Sequence, residues 1–242
     1  MWRSFFTGLV DIVYPKTCSI CSRSLRHREA KGGFVCSPCW GKIKKNLPPF
    51  CYSCGRHLES TCFCARLCLE CRKKKLYFDR AFSPCTYEGV MRELIHAFKY
   101  EGKDYLGSLL SQLIVECIRE YDIPMQYIDM VVPVPLHRAK EREREFNQAE
   151  ILARCIAQEF NKEMNAHVLT RIRHTKTQTA VEHEDRFENV RGSFAWNPDH
   201  EVKNKHILLV DDVLTSAATA SEAARVLKEW GAGMVFVATI AN

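Results

Sequence analysis

Residues 207–220, ILLVDDVLTSAATA, decide the fold. Four consecutive apolar residues read as a strand buried on both faces, the pattern of a parallel sheet rather than of an antiparallel sheet with one wet side. Two acids end the strand, and small and hydroxyl residues lead into the helical pattern SEAARVLKEWG, which Gly231 closes. A strand, turn and helix of this kind leave backbone N–H groups and a helix N-terminus where a phosphate can sit. The acids lie one turn away, able to hold ribose hydroxyls or a hydrated Mg2+. The plainer alternative is an ordinary strand–turn–helix capped by Thr215 or Ser216.

Outward from that stretch the same alternation continues. FSPCTYE (82–88) reads as a strand, and VMRELIHAFKY (90–100) as a helix with Met91, Leu94, Ile95 and Phe98 on one face. YLGSLLSQLIVECIREY (105–121) is a second helix, IDMVVPVP (128–135) a short buried strand and FNQAEILARCIAQEFN (146–161) another helix. HVLTR (167–171) and MVFVATIA (234–241) complete the strands. Strands alternating with helices predict an α/β domain, a parallel sheet flanked by helices, over residues 81–242.

The first 80 residues are a different object. They hold 16 Lys and Arg against 5 Asp and Glu, a formal +11, while residues 81–242 hold 19 against 24, a formal −5. Ten of the 13 cysteines fall within the first 71 residues. A domain boundary near residue 80 follows, with a cysteine-rich segment before it.

Eight of those cysteines form four C-x2-C pairs: Cys18 and Cys21, Cys36 and Cys39, Cys51 and Cys54, Cys68 and Cys71. One such turn aims two thiolates at a point, and two turns close a sulfur tetrahedron around zinc. Two structural four-thiolate zinc sites are expected, holding the fold and doing no chemistry. Disulfides are the alternative, but a reduced cytoplasmic chain disfavours them. A thioredoxin-like role needs the pair to open a helix within a strand–helix–strand pattern, which this Gly- and Pro-punctuated context lacks. Sequential pairing makes two consecutive zinc ribbons; a cross-brace would join the first pair to the third. Cys62 and Cys64 form an extra C-x-C, read as thiols outside the sites or as a substitute for Cys68.

Two such sites lower the charge of this half from +11 to about +7. Lys42, Lys44 and Lys45, then Arg72, Lys73, Lys74 and Lys75, are interleaved with Trp40, Phe50, Tyr52, Tyr77 and Phe78. Such residues pair phosphates and stack bases of single-stranded nucleic acid; a solvated basic surface is the other reading. No uncharged stretch reaches the roughly 18 residues that a bilayer span needs. The apolar start runs into Pro15 and Cys18 without a small-residue cleavage site, so the chain is expected to be cytoplasmic.

The acid pair followed by Thr-Ser-small-x-Thr resembles the 5-phosphoribosyl-1-pyrophosphate (PRPP) signature of type I phosphoribosyltransferases. FKYEGKDYLG (98–107), VPVPLHRAKEREREFNQAEILA (132–153) and QTAVEHEDRFENVRGSF (178–194) resemble the matching blocks of the ComF family. That family joins a cysteine-rich zinc domain to a phosphoribosyltransferase domain, and the similarity spans residues 15–240.

The resemblance implies that Asp211 and Asp212 contact the ribose hydroxyls of PRPP and act in any catalysis, the second by way of Mg2+. It implies that Thr215, Ser216, Ala217, Ala218 and Thr219 wrap the 5-phosphate, and that Leu136, His137 and Arg138 form the pyrophosphate loop, with Lys99 facing the same pocket. Residues 171–190 would be the mobile cover, with Arg171, Arg173, Gln178 and Arg186 as its contacts. The sequence departs from the family pattern twice. Ala217 stands where the phosphate loop usually has glycine, and Glu145 gives REFNQ for the usual RGFNQ. If position 217 needs a positive φ, its methyl costs about 1 kcal/mol or more.

Three functions fit these features. The first is a competence-type protein handling single-stranded DNA during uptake, with PRPP or a related phosphosugar in its other half and competence-machinery proteins as partners. The second is a working phosphoribosyltransferase that forms an N-glycosidic bond from Mg-PRPP. The third is a non-catalytic scaffold whose ribbons dock a protein.

Overall fold

In a computed structural model, residues 17–25, 30–58, 66–173 and 185–242 are described; Cys62, Cys64 and Gln178 fall outside them. Strands β1 (Ala30–Lys31) and β2 (Val35–Cys36) pair as a small antiparallel ribbon. A five-stranded sheet follows, built from β3 (Arg80–Phe82), β4 (Met130–Pro133), β5 (Glu163–Met164), β8 (Ile207–Val210) and β9 (Val235–Ala238) in the order β3-β9-β8-β4-β5. Every pairing in it is parallel. Between β5 and β8 in the chain, β6 (Leu169–Arg171) and β7 (Phe194–Trp196) form a separate antiparallel pair.

The strands read as near-continuous apolar runs because both faces of the sheet are covered. Leu208 and Val210 enter one core with Val131 and Ala238, while Ile207 and Leu209 enter the other with Met130, Val132, Val235 and Val237. Side chains alternate across a strand, so each strand feeds both cores. The helices Gly89–Tyr100, Leu106–Glu120 and Gln148–Glu159 cover the first face, with Met91, Leu94, Ile95 and Phe98 all fully buried. The helix Ala218–Glu229 covers the second through Ala220, Ala223, Ala224 and Leu227.

Two departures from the sequence expectation have local causes. The strand expected over residues 82–88 ends at Phe82: Ser83 turns its hydroxyl to Thr239 at 2.6 Å, Pro84 follows, and Cys85 keeps only single bridges to Lys45 and Ala241. The helix beginning at Ala218 starts three residues before SEAARVLKEWG, because small residues carry it back to the turn. Among the described residues no helix is long and apolar enough to cross a membrane.

The cysteine-rich half folds as two knuckled ribbons that pack separately. The first, with Cys18, Cys36 and Cys39, joins the core under the helix Leu106–Glu120; the second, with Cys51 and Cys54, joins the core behind the helix Ala218–Glu229.

Candidate functional site

The eight paired cysteines come together as expected, and in sequential order. The sulfurs of Cys18, Cys21, Cys36 and Cys39 lie within 4.8 Å of one another, as do those of Cys51, Cys54, Cys68 and Cys71. The pairs Cys21–Cys36 and Cys54–Cys68 are 3.7 Å apart. A tetrahedron with metal–sulfur bonds of about 2.3 Å has edges of about 3.8 Å, so the cages fit zinc. Backbone amides brace the sulfurs: Cys36 N donates to Cys18 Sγ at 3.4 Å and Cys68 N to Cys51 Sγ at 3.3 Å. Burial opposes the Cys18 thiolate, yet donors from Cys21, Cys36 and Ile20 bring it down to about 6. Burial and the neighbouring thiols push Cys39 up to about 12. Four thiolates do not coexist at this spacing without a cation, which is the charge that zinc supplies.

The second site lies at the carboxyl end of β8, where a chain leaving a parallel sheet opens a crevice. A cleft of about 380 Å³ is lined there by Lys99, Lys140, Arg144, Arg171, Arg186, Asp211 and Asp212, with Thr215 and Thr219 on the loop side. Asp212 meets Lys99 Nζ at 2.7 Å, both side chains being largely buried. Burial works against the Lys99 charge, but the Asp212 carboxylate, helped by Asp211, holds the ammonium above its ordinary range. Asp211 accepts the Asp212 backbone N–H at 2.8 Å. Its burial, then the Asp212 charge, raises it to about 7 despite Lys99 and Arg171.

Five cations face these two acids. Burial lowers Lys140, and the nearby Arg171 and Arg144 lower it further. Burial likewise lowers Arg171, although Asp211 favours its charge. Cations crowded in this way gain most when a polyanion enters between them. Arg144 is held in place by Gln148 Oε1 and the Tyr100 hydroxyl, each at 3.0 Å.

The loop of residues 213–218 turns through Ala217 at φ 64° and ψ 4°, the left-handed conformation. Glu145, after the helix Arg138–Arg144, also has a positive φ, 67°. Both residues that replace a family glycine therefore occupy conformations that glycine adopts without strain. Ser216 Oγ accepts Ala218 N at 3.4 Å, a local turn bond, while the helix N-cap position itself is Ala217 and has no side-chain cap.

The remaining sequence candidates divide. Thr215 and Thr219 line the cleft, whereas Ser216, Ala217 and Ala218 are buried and do not line it. His137 caps its own helix, accepting Ala139 N at 3.2 Å, and Arg138 is exposed; from this segment Leu136, Lys140 and Arg144 reach the cleft. Arg171 and Arg186 are cleft residues, while Arg173 donates to the Arg191 carbonyl at 2.6 Å. Lys140 and Arg144 were missed in the sequence because KEREREF looks like a solvated charged helix.

Of the basic candidates in the zinc half, Lys42, Lys45, Arg72, Lys73 and Lys75 stand exposed. Lys44 pairs with Glu88 and Lys74 with Glu70, each at 3.2 Å. Tyr52 and Tyr77 are exposed, but Phe78 is 4% exposed and belongs to the core, so it does not serve as a stacking surface.

Comparison with known proteins agrees with this division. Residues 9–72 match the double zinc ribbon domain, and residues 147–242 match the phosphoribosyl transferase domain. The chain is similar to Competence protein F of Haemophilus influenzae, 27% identical over 205 residues, covering 84% of this chain and 87% of that protein. It is similar to DNA utilization protein YhgH of Escherichia coli K12, 27% identical over 222 residues, covering 91% and 87%. Competence protein ComFC of Bacillus subtilis is 29% identical over 202 residues, covering 81% and 79%.

Proposed function

We propose that this chain, which belongs to the ComF family of double-zinc-ribbon and phosphoribosyltransferase proteins, binds Mg-PRPP in the cleft at β8 and handles single-stranded DNA through its basic zinc half. One observation carries the first part: an acid pair, a buried lysine and a hydroxyl-bearing loop meet at one strand end, facing four further cations.

Each group has a task that its chemistry suits. The carboxylates of Asp211 and Asp212 accept the ribose hydroxyls, and Lys99 orients Asp212 through their 2.7 Å contact. Main-chain N–H groups of residues 215–219 and the Thr215 and Thr219 hydroxyls take the 5-phosphate, at the start of a 12-residue helix whose dipole favours an anion. Lys140, Arg144, Arg171 and Arg186 are placed for a pyrophosphate. Mg2+ carried in with PRPP supplies further neutralisation of that group.

The DNA part rests on charge and on kinship. The first 80 residues remain at about +7 once two zinc-thiolate sites are counted, and their exposed lysines and tyrosines suit phosphates and bases. The relatives are named as competence proteins and a DNA utilization protein. The residence of the chain in the cytoplasm belongs to the same reading.

A transferase reading is favoured by the pyrophosphate-facing cations, which stabilise a leaving group rather than a stably bound sugar. In that reaction a ring nitrogen of the acceptor attacks C1 of the ribose, the bond from C1 to the pyrophosphate oxygen breaks, and pyrophosphate departs with the electron pair. The acceptor nitrogen loses its proton to solvent.

The test is a titration of intact, zinc-loaded protein with labelled single-stranded DNA, with and without Mg-PRPP, followed by assay of released pyrophosphate. Binding without pyrophosphate release supports the DNA-handling reading alone. Pyrophosphate release that requires a base or DNA acceptor establishes the transferase. Binding of neither DNA nor Mg-PRPP rejects both.

A further inference from the structure

We infer that the second zinc knuckle is part of the phosphate site, with Arg56 positioning the loop, so that zinc in this knuckle and Mg-PRPP in the cleft bind cooperatively. The inference rests on the PRPP reading of the cleft and adds a second component to it.

The knuckle and the loop share a wall. A narrow crevice has Cys54, Cys68 and Cys71 on one side and Thr215, Ser216 and Ala217 on the other. Leu214 and Ala217 belong to the same apolar cluster as Cys51 and Cys54. Arg56, two residues beyond a metal ligand, donates from Nη2 to the carbonyl of Thr215 at 3.3 Å. Thr215 itself lines both that crevice and the cleft.

The knuckle is fixed to the sheet as firmly as to the loop. Ala81 N of β3 donates to the Ser53 carbonyl at 2.7 Å, and Asn46 Nδ2 donates to the Gly55 carbonyl at 2.8 Å. Gly55 lies so close to β3 that a Cβ on it would stand 2.4 Å from the Ala81 carbonyl oxygen. The chain end completes the link: Asn242 Nδ2 reaches the Cys54 carbonyl at 3.5 Å, and Leu214 N donates to Ala241 O at 2.9 Å. The four sulfurs gather Cys51 and Cys54 against Cys68 and Cys71; among the described residues Tyr52 N donates to the Arg66 carbonyl at 2.8 Å and Cys68 N to Cys51 Sγ at 3.3 Å beside them. The metal at their centre closes residues 66–71 onto the knuckle and, together with the bonds to β3, sets the position from which Arg56 reaches the loop. The first quartet packs elsewhere, in the other core with the helix Leu106–Glu120.

Coupling between two ligands is reciprocal. If zinc in the second knuckle favours the loop conformation that holds PRPP, then PRPP must retain that zinc by the same factor. Loss of one hydrogen bond from a charged donor to an exposed carbonyl corresponds to a roughly fivefold change in affinity.

The experiment uses the full chain with two zinc equivalents. Zinc release to the chromogenic chelator 4-(2-pyridylazo)resorcinol is followed with and without saturating Mg-PRPP, and Mg-PRPP affinity is measured by calorimetry. The expected result is that Mg-PRPP slows release of one equivalent and leaves the other unchanged. Arg56→Ala is expected to keep both zinc ions, to weaken Mg-PRPP about fivefold, and to abolish the protection; Arg56→Lys should restore part of each. Cys21→Ser, which removes a ligand of the first quartet, should leave the protected equivalent in place. Native binding of Mg-PRPP with no protection, or with equal protection of both ions, overturns the coupling while leaving the cleft assignment intact. Absence of Mg-PRPP binding by the native protein overturns the cleft assignment and the coupling with it.

Discussion

Ala217 holds a left-handed backbone, with φ 64° and ψ 4°, immediately before the helix Ala218–Glu229, and glycine at this position changes three quantities at once. It relieves the left-handed strain of an L-residue, about 1–2 kcal/mol. It loosens the unfolded chain, which costs about 0.4–1 kcal/mol, and removes a buried methyl worth about 0.8 kcal/mol. These nearly cancel, so Ala217→Gly is expected to move stability by less than about 1 kcal/mol, or by less than about 4 °C in Tm for a chain of this size. Ala217 lines the crevice toward the second knuckle and not the cleft, so Mg-PRPP affinity should stay within about twofold of native. Glu145 supplies the comparison: it is exposed at φ 67° and loses no burial, so Glu145→Gly should stabilise by about 1 kcal/mol. Thermal unfolding of zinc-loaded protein and calorimetry with Mg-PRPP read both quantities. A tenfold or greater gain in affinity on Ala217→Gly would refute the argument, because it would mean that the methyl intrudes on the phosphate.

Four further outcomes follow from the electrostatics. Lys99→Met leaves Asp212 beside Asp211 without its cation and should destabilise by about 3 kcal/mol; denaturant unfolding measures this, and no change would mean that water already serves Asp212. Asp211 sits at about 7 in the folded protein against about 3.9 unfolded, so its proton favours the folded state most fully at the acid end, and stability without ligand should fall as pH rises from about 4 through 7. Accepting the ribose hydroxyls requires the Asp211 carboxylate, so Mg-PRPP affinity should rise from pH 6 to 8 and the rise should flatten in Asp211→Asn; an unchanged slope in that variant would assign the titration to PRPP itself. Neutralising Lys73, Lys75, Lys42 and Lys45 together should weaken single-stranded DNA binding and flatten its log–log salt dependence by roughly 0.7 for each phosphate left unpaired, as read by fluorescence anisotropy; an unaltered slope would place the DNA surface elsewhere.

The residues that were legible in the sequence are those whose pattern is set locally. ILLV at β8 is apolar without a break because both faces are buried, and the C-x2-C pairs announce their cages because a tetrahedron needs that spacing. The two-residue edge strand β5 was invisible, since one of its residues is exposed and neither carries a pattern. The antiparallel partner of β6, β7, was missed for a similar reason: three residues with one buried do not show a period. Among the site residues, the acids and the loop were readable by type and order, whereas Lys140 and Arg144 enter the cleft only because the helix Arg138–Arg144 lies across its rim. The approach of the second knuckle to the loop depends on the missing side chain of Gly55 against β3, a matter of tertiary packing over separations that no periodicity records.

The central claim is that the acid pair and loop at β8 form the PRPP site. Isothermal titration calorimetry of Mg-PRPP into the intact protein and into Asp211→Ala with Asp212→Ala tests it most directly. The account predicts a single saturable site in the native protein and its loss in the double variant, with two zinc equivalents retained in both. Equal binding by the two proteins, or none by the native one, would contradict it.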